Sequence, residues 1–486
     1  MHRSLPVLSA LLALSCGNTA RPDFVVHLVD TQHGNPFARC DSGMVRVDVQ
    51  QDTNALLTSN ANITGTGMIS SLAVEIPSYG LTTQIGVTVT CTGRDGALTL
   101  IGATPHFIPV GYGFVNVVLG EPRHCETLSS PSLAQTRVGP HLVRLHANVI
   151  VLGGLEGAEG VPSTHVQALD SVTLTTNVAA SQFDALGIGI GLGHAVVLDA
   201  TRMVFASDSL TGIFDASPTA TAPLTTLSHS GGSEAAVVEL NGNGVAIVGG
   251  AIGGDATPQI TWVLPNGSTV ETQLLHPRRA PGAALVGNRL LVVGGQAPGE
   301  PLFELAPLMG DSVIAFGPTS EQRYGAVVVS DRTRARVFVG LGTDAADGGA
   351  PIDSTWALSS CAAAGCSFAP GPTLADPRTG VAVVPHVVGE VGGGEDYEIL
   401  LLGGADTAGT ASMLVDRVRF ESDGTVSVAA AGAPPAGLLD TPRTHAGATE
   451  IGGGVVLVAG GRDDRGDALQ SLEVCFPEYL RPVGPE

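Results

Sequence analysis

An apolar run ending in a pair of glycines recurs along the last three quarters of the chain, and this recurrence limits the fold more than any other feature. The clearest copies are Val149-Ile150-Val151-Leu152-Gly153-Gly154, Val245-Ala246-Ile247-Val248-Gly249-Gly250 and Leu290-Leu291-Val292-Val293-Gly294-Gly295. Ile399-Leu400-Leu401-Leu402-Gly403-Gly404 and Val455-Val456-Leu457-Val458-Ala459-Gly460-Gly461 follow. Arg202-Met203-Val204-Phe205-Ala206-Ser207 and Arg336-Val337-Phe338-Val339-Gly340 are weaker copies, which makes seven. Successive copies lie about 43 to 63 residues apart, the period of propeller blades. An arginine stands upstream of five of them: Arg137, Arg279, Arg323, Arg378 and Arg443. A further apolar strand fits between arginine and glycine pair, and one or two more fit downstream, at residues 415–420 and 425–428 for example. Four short strands per repeat is the blade unit. The glycines suit a strand that must turn where neighbouring blades crowd, because a Cβ would clash there.

These residues resemble the kelch repeat, in which an Arg- or His-led strand precedes an apolar strand ending in Gly-Gly and two more strands. The segment from Arg443-Thr444-His445-Ala446-Gly447 through Gly460-Gly461 to Leu472-Glu473-Val474 is the best copy. The resemblance spans roughly residues 125–478 and implies a seven-bladed β-propeller, set at 121–478 with a tail at 479–486. The Tyr and Trp that usually follow the pair are mostly missing, leaving Trp262 and Trp356 as isolated survivors. The stretch 388–396 reads as a Gly-rich insertion in the sixth repeat. The seventh repeat supplies only three strands, and a ring with an open edge invites unwanted pairing, so the fourth is expected from residues 123–129.

The first 21 residues read as an export signal: His2 and Arg3 precede an apolar run over 5–14 that is too short to span a bilayer. The run ends Leu12-Ala13-Leu14-Ser15-Cys16-Gly17, which resembles a bacterial lipoprotein signal and implies lipidation of Cys16. An ordinary secretory signal that discards Cys16 is the alternative. Export puts the other six cysteines in an oxidising compartment. Cys125 and Cys475 flank the proposed closure, Cys361 and Cys366 would staple a hairpin in the fifth repeat, and Cys40 and Cys91 are left for each other. Half a metal site is the competing reading of Cys361-x4-Cys366, but no second Cys pair or His run accompanies it.

Residues 22–120 lack the glycine phase but alternate, as in Met44-Val45-Arg46-Val47-Asp48-Val49. Strands are expected at 24–29, 44–49, 72–76, 84–89, 98–101 and 113–119, forming a small, immunoglobulin-like β-sandwich that Cys40–Cys91 would bridge. Both Trp lie outside this segment, so the buried-Trp mark of true immunoglobulin domains is missing.

Several functions are excluded by composition. The formal charge is −22, and all 23 basic residues are Arg. Nucleic acid needs a basic footprint, and neither a phosphate loop ending GK[ST] nor a Schiff-base lysine is possible without Lys. There is no His-Glu-x-x-His, no Gly-x-Ser-x-Gly and no Cys-x-x-Cys-His. The five Tyr are too scattered for a copper-oxidase site on a kelch scaffold. Ser422-Asp423-Gly424-Thr425 is a turn rather than a sialidase box. No catalytic, metal or cofactor residue is therefore assigned, and the chain is read as a non-enzyme.

The loop after each glycine pair carries acid: Glu156 and Glu159, Asp208, Asp255, Glu300, Asp344 and Asp347, Asp406, Asp463 and Asp464. Two readings follow. The repeat arginines pair with these carboxylates and order the loops, or the acids form a ring face that attracts Ca²⁺ or a basic partner. His194 and His445 are read as equivalent strand starts, and Arg465-Gly466-Asp467 as a chance tripeptide. The expectation is a non-catalytic recognition protein of the bacterial envelope, an outer-membrane lipoprotein held only by its lipid, which binds a protein or glycan. A carbohydrate-binding or carbohydrate-active propeller and a structural spacer are the alternatives.

Overall fold

Successive residues of a strand face opposite sides, so a strand buried on both faces must be apolar throughout. That is the origin of the recurring apolar runs. In the computed structural model the runs are Asn148–Leu152, Arg202–Ser207, Val245–Val248, Arg289–Val293, Arg336–Gly340, Glu395–Leu402 and Val455–Ala459, each the second strand of its own antiparallel sheet. In the fourth sheet, Leu290 and Val292 face a core shared with the third sheet, while Leu291 and Val293 face one shared with the fifth. Burying each such side chain contributes about 1.5–3 kcal/mol.

The structure describes residues 24–29, 31, 44–51, 54–62, 71–74, 84–93, 98–108, 113–157, 159–176, 188–217, 220, 223–229, 231–252, 254–310, 312–331, 336–346, 348–362, 365–390, 395–421, 425–429 and 437–477. Cys16, Cys40, Asp347 and the tail at 479–486 lie outside them. The protein is all-β: among the described residues there is no α-helix, only a 3-10 turn at Gly232–Glu234, and no helix long and apolar enough to cross a membrane.

The first strands of the seven sheets are His141–Leu145, Gly193–Val197, Ala236–Glu239, Gly282–Val286, Val327–Asp331, Ala382–Glu390 and Gly447–Gly452. Separate apolar cores join each sheet to the next. Ile150 shares one with Met203, Val204 with Ile247, Trp262 with Leu290, Leu291 with Val337, Phe338 with Ile399, and Leu400 with Val456. A further core joins Leu457 of the last sheet to Val149 of the first. The insertion expected at 388–396 is a lengthened hairpin, in which Ala382–Glu390 pairs with Glu395–Leu402.

Three strands of the seventh sheet are consecutive. The fourth is Cys125–Thr127, paired antiparallel with Leu472–Cys475 so that Cys125 lies opposite Cys475, and the two are disulfide-bonded. Cys361 and Cys366 are also joined, directly opposite each other in the outer hairpin of the fifth sheet. Cys91 is disulfide-bonded and fully buried. Disulfides of this kind place the chain in an oxidising, non-cytoplasmic compartment.

Ahead of the seven sheets, Met44–Gln51 and Gly86–Thr92 are the central strands of a four-stranded sheet with Asn54–Asn62 and Leu98–Ala103 at its edges. A three-stranded sheet places Phe24–Val29 between Ser71–Val74 and Phe114–Val118, parallel to the latter. Val45, Val47 and Val49 share a core with Val26 and Val115, as the alternation requires. This segment is fixed to the junction of the first and seventh sheets. Asn116 donates its N–H to the Val172 carbonyl at 2.9 Å, and Ile101 and Ala103 enter the core that holds Ile451 and Phe476. A Cβ on Gly120 would lie 2.0 Å from the Phe476 ring.

Candidate functional site at the glycine-pair end of the cavity

Each repeat arginine is a fixture. Arg443 is fully buried, donates from its Nη1 to the Gly460 carbonyl at 2.8 Å, and pairs through Nε with Glu473 at 3.0 Å. Arg378 reaches the Gly403 carbonyl at 2.6 Å and pairs with Asp416. Arg323 reaches the Leu341 carbonyl at 2.7 Å and pairs with Glu321. Arg137 is the loosest, 3.4 Å from the Gly153 carbonyl and 3.8 Å from Glu156. Burial lowers the Arg137 pKa from its ordinary value, with Glu156 opposing the shift.

In the fourth sheet the position belongs to Arg278, not Arg279. Arg278 is fully buried, donates to the Gly294 carbonyl at 2.7 Å and pairs with Glu304 at 3.0 Å, whereas Arg279 pairs at 2.6 Å with Glu234 of the 3-10 turn that precedes the third sheet. Consecutive residues of an extended chain point to opposite sides, so only one of two adjacent arginines can take the buried place. The third sheet has a surrogate that the arginine pattern did not reveal. His229 meets the Gly249 carbonyl at 3.1 Å through Nε2 and the Thr261 hydroxyl at 2.9 Å through Nδ1.

The carboxylates that neutralise these arginines are mostly not the loop acids. Glu304, Asp416 and Glu473 come from the third strands, directly opposite Val292, Leu401 and Val458. Among the described loop acids, Glu156 forms an ion pair with a repeat arginine, and Glu300 acts on Arg278 only through its charge at longer range. Variable loop lengths hide this register, but an acid 10 to 13 residues after the first glycine of the pair is a usable signal in three of the sheets. The loop acids close their own turns. Asp406 accepts from Ala408 and Thr410 at 2.8 and 2.9 Å, Asp463 from Arg465 and Asp467 at 2.9 Å each, Asp344 from Ala350 at 2.8 Å, and Glu300 from Ala297 at 3.2 Å. Asp208, Asp255 and Asp464 are exposed. An Asp that accepts two backbone N–H groups is a turn former. Among the described residues no three His, Cys, Asp or Glu side chains converge.

The glycine pairs do two jobs. Both residues have positive φ, as in Gly294 and Gly295 at 75° and 70°, and a Cβ on Gly294 would strike the Arg323 carbonyl of the next sheet at 2.1 Å. In the fifth sheet the pair is Leu341-Gly342, one residue later than the run ending at Gly340 suggested, with Leu341 at φ 52°. The N–H of the second glycine then donates to the carbonyl of the next sheet's arginine: Gly250 to Arg278, Gly295 to Arg323, Gly404 to Arg443 and Gly461 to Arg137, at 2.7–2.8 Å.

The first strands of all seven sheets line one cavity of about 430 Å³, with walls mainly of Ala, Val and Leu. No Trp or Tyr lines it among the described residues. Arg144, Glu239, Ser330 and Glu450 gather toward the strand ends away from the glycine pairs. At the glycine-pair end, residues of positive φ are hydrogen-bonded from sheet to sheet: Gly139 N–H to His445 O at 2.7 Å, His445 N–H to Gly380 O at 2.8 Å, and Gly325 N–H to Ala280 O at 2.7 Å. His445, at φ 53°, stands where the first, fifth and sixth sheets have glycine. The register counterpart of His194 is therefore His141, opposite Leu152 as His194 is opposite Ala206, and not His445. His141 is buried, its Nε2 has no hydrogen-bond partner among the described residues, and burial and the nearby His194 push its pKa down to about 4.

Beside this rim, Ser163 Oγ and His165 Nδ1 both meet the Glu156 carboxylate. The carboxylate stands between hydroxyl and imidazole, so the imidazole is not placed to take the serine proton.

No protein-family profile matches the chain, and no curated protein does. Among solved structures, one described as "Structure of YjhT" aligns at 12% identity with a TM-score of 0.39, covering 70% of this chain and 95% of that one.

Proposed function

We propose that this chain is a seven-bladed, kelch-like β-propeller preceded by a small β-sandwich, exported and tethered to the bacterial envelope through a lipid on Cys16. Its role is non-catalytic recognition of a protein partner through the loops at the glycine-pair end. Residues 121–478 are the propeller and 22–120 the sandwich. The blade reading is supported by seven successive antiparallel sheets whose first strands share one cavity and whose cores run from sheet to sheet and back to the first.

One observation carries the recognition reading. The buried arginine–carboxylate pairs are used in holding neighbouring segments, whereas the loops after the glycine pairs differ in length and sequence and leave Asp208, Asp255 and Asp464 in solvent. A scaffold repeated along the chain with exposed loops that differ from repeat to repeat is the arrangement of binding folds. Sugar stacking is disfavoured because Trp262 is fully buried and donates to Thr272 at 2.8 Å.

The test is retention of envelope-extract components on the immobilised body from Arg21 onward, with Asp208→Asn/Asp255→Asn/Asp464→Asn as comparison. A protein retained by the native chain and lost in that variant supports the reading. Retention of glycan alone moves it to carbohydrate recognition, and no retention at all points to a structural spacer.

A further inference from the structure

We propose that Cys361–Cys366 is a thiol-exchange site, opened selectively by a dithiol while Cys125–Cys475 stays closed. Its two sulfurs differ in setting. Cys361 is exposed, whereas Cys366 packs partly against the core shared by the fourth and fifth sheets. The residues between them in sequence, Ala362, Ala363, Ala364 and Gly365, carry no charge. By contrast, Cys125 and Cys475 are buried at 6% and 4% exposure.

Loop length separates the two bonds further. Cys125–Cys475 closes a sequence separation of 350 residues and Cys361–Cys366 one of 5. Opening the short loop frees little chain entropy, so its oxidised form has the smaller advantage over the dithiol. An exposed disulfide with little structural consequence is the kind that exchanges. Reduction leaves the hairpin in place, because Trp356, Ala357 and Leu358 still pair with the returning strand and Phe368 still stacks on Phe303 at 4.4 Å between ring centres. The site can therefore reoxidise.

The exchange balances as follows. A thiolate of the dithiol attacks the Cys361 sulfur, an S–S bond forms between them, and the Cys366 sulfur leaves as a thiolate and takes up a proton. The second thiol of the reagent loses its proton and attacks its own sulfur in the mixed disulfide, releasing Cys361 as a thiol. One protein disulfide is reduced by two electrons and one dithiol is oxidised to its disulfide.

The experiment exposes the folded full chain to graded dithiothreitol without denaturant, alkylates free thiols, and maps them by mass spectrometry. Cys361 and Cys366 should be alkylated together, at least tenfold faster than Cys125 and Cys475. Alkylation of all four at one rate, or of none before unfolding, overturns the proposal. The direction of attack is read by exposing the folded native chain to reduced glutathione and trapping the mixed disulfide with acid. Glutathione should be found on Cys361 at least tenfold more often than on Cys366. Equal amounts on the two would overturn the assignment of Cys361 as the attacked sulfur.

Discussion

Gly461 donates its backbone N–H to the Arg137 carbonyl at 2.7 Å, so the last glycine pair is tied to the first repeat arginine. The bond repeats the one by which Gly295 meets Arg323 and Gly404 meets Arg443 within the array. The seventh sheet thus addresses the first as the third, fourth and sixth address their successors, and Cys125–Cys475 ties the last strand of the seventh sheet to the chain segment that precedes the first. Three consequences concern that construction and one concerns pH.

Cys125→Ser should destabilise the seven-sheet array by about 6 kcal/mol, from loop-closure entropy alone. Cys361→Ser should cost no more than about 2 kcal/mol, since its loop is short. Urea unfolding followed by Trp fluorescence measures both, because Trp262 and Trp356 lie in the third and fifth sheets. Equal losses would mean that Cys125–Cys475 does not hold the closure.

At Gly295 a Cβ would lie 2.3 Å from the Arg279 carbonyl, and φ is 70°. Gly287 has φ 59° but nothing within 4 Å of a Cβ. Gly287→Ala should cost about 1–2 kcal/mol, the conformational penalty alone. Gly295→Ala adds a backbone collision and should shift the urea midpoint at least twice as far. Similar shifts would reduce the pair to a dihedral requirement.

Glu304→Leu leaves Arg278 buried without its carboxylate and should cost about 3–5 kcal/mol. Replacing both, as Arg278→Met/Glu304→Leu, should recover much of that loss. Arg279→Ala removes a half-exposed pair and should cost under about 1 kcal/mol. A large loss at Arg279 and a small one at Glu304 would return the structural role to Arg279.

His141 has a pKa near 4 in the folded chain, below about 6.5 when unfolded. Between those values the unfolded chain binds more protons, so stability rises with pH. The His141 contribution is complete above about pH 6.5 and is lost as pH falls to 4, roughly 3 kcal/mol in all. His229, also buried and held below its ordinary value, acts in the same direction. Urea midpoints from pH 4 to 7 should fall with acid in the native chain and fall less in His141→Gln. Identical slopes would remove His141 from the account.

The repeat, its four strands, the origin of the closing strand and the pairing of Cys125 with Cys475 were all legible in the chain. They depend on local rules. A run buried on both faces must be apolar, a turn of positive φ prefers glycine, and an unpaired edge needs a partner. The strand Asn54–Asn62 escaped because its Asn, Ser and Thr carry no clear alternation.

By itself, then, the sequence determined most of the strands, the glycine turns of the clear copies and the number of repeated units, because these are set by neighbours a few residues away. Asn54–Asn62 and the turn at Leu341-Gly342 were the exceptions. Only the tertiary structure decided that Arg278 rather than Arg279 is buried, that Glu304, Asp416 and Glu473 rather than the loop acids neutralise the arginines, and that His229 serves where arginine is missing. Each depends on which side chain meets a carbonyl on another strand, across loops whose lengths vary from sheet to sheet. A one-residue change of register exchanges the buried and exposed members of any adjacent pair.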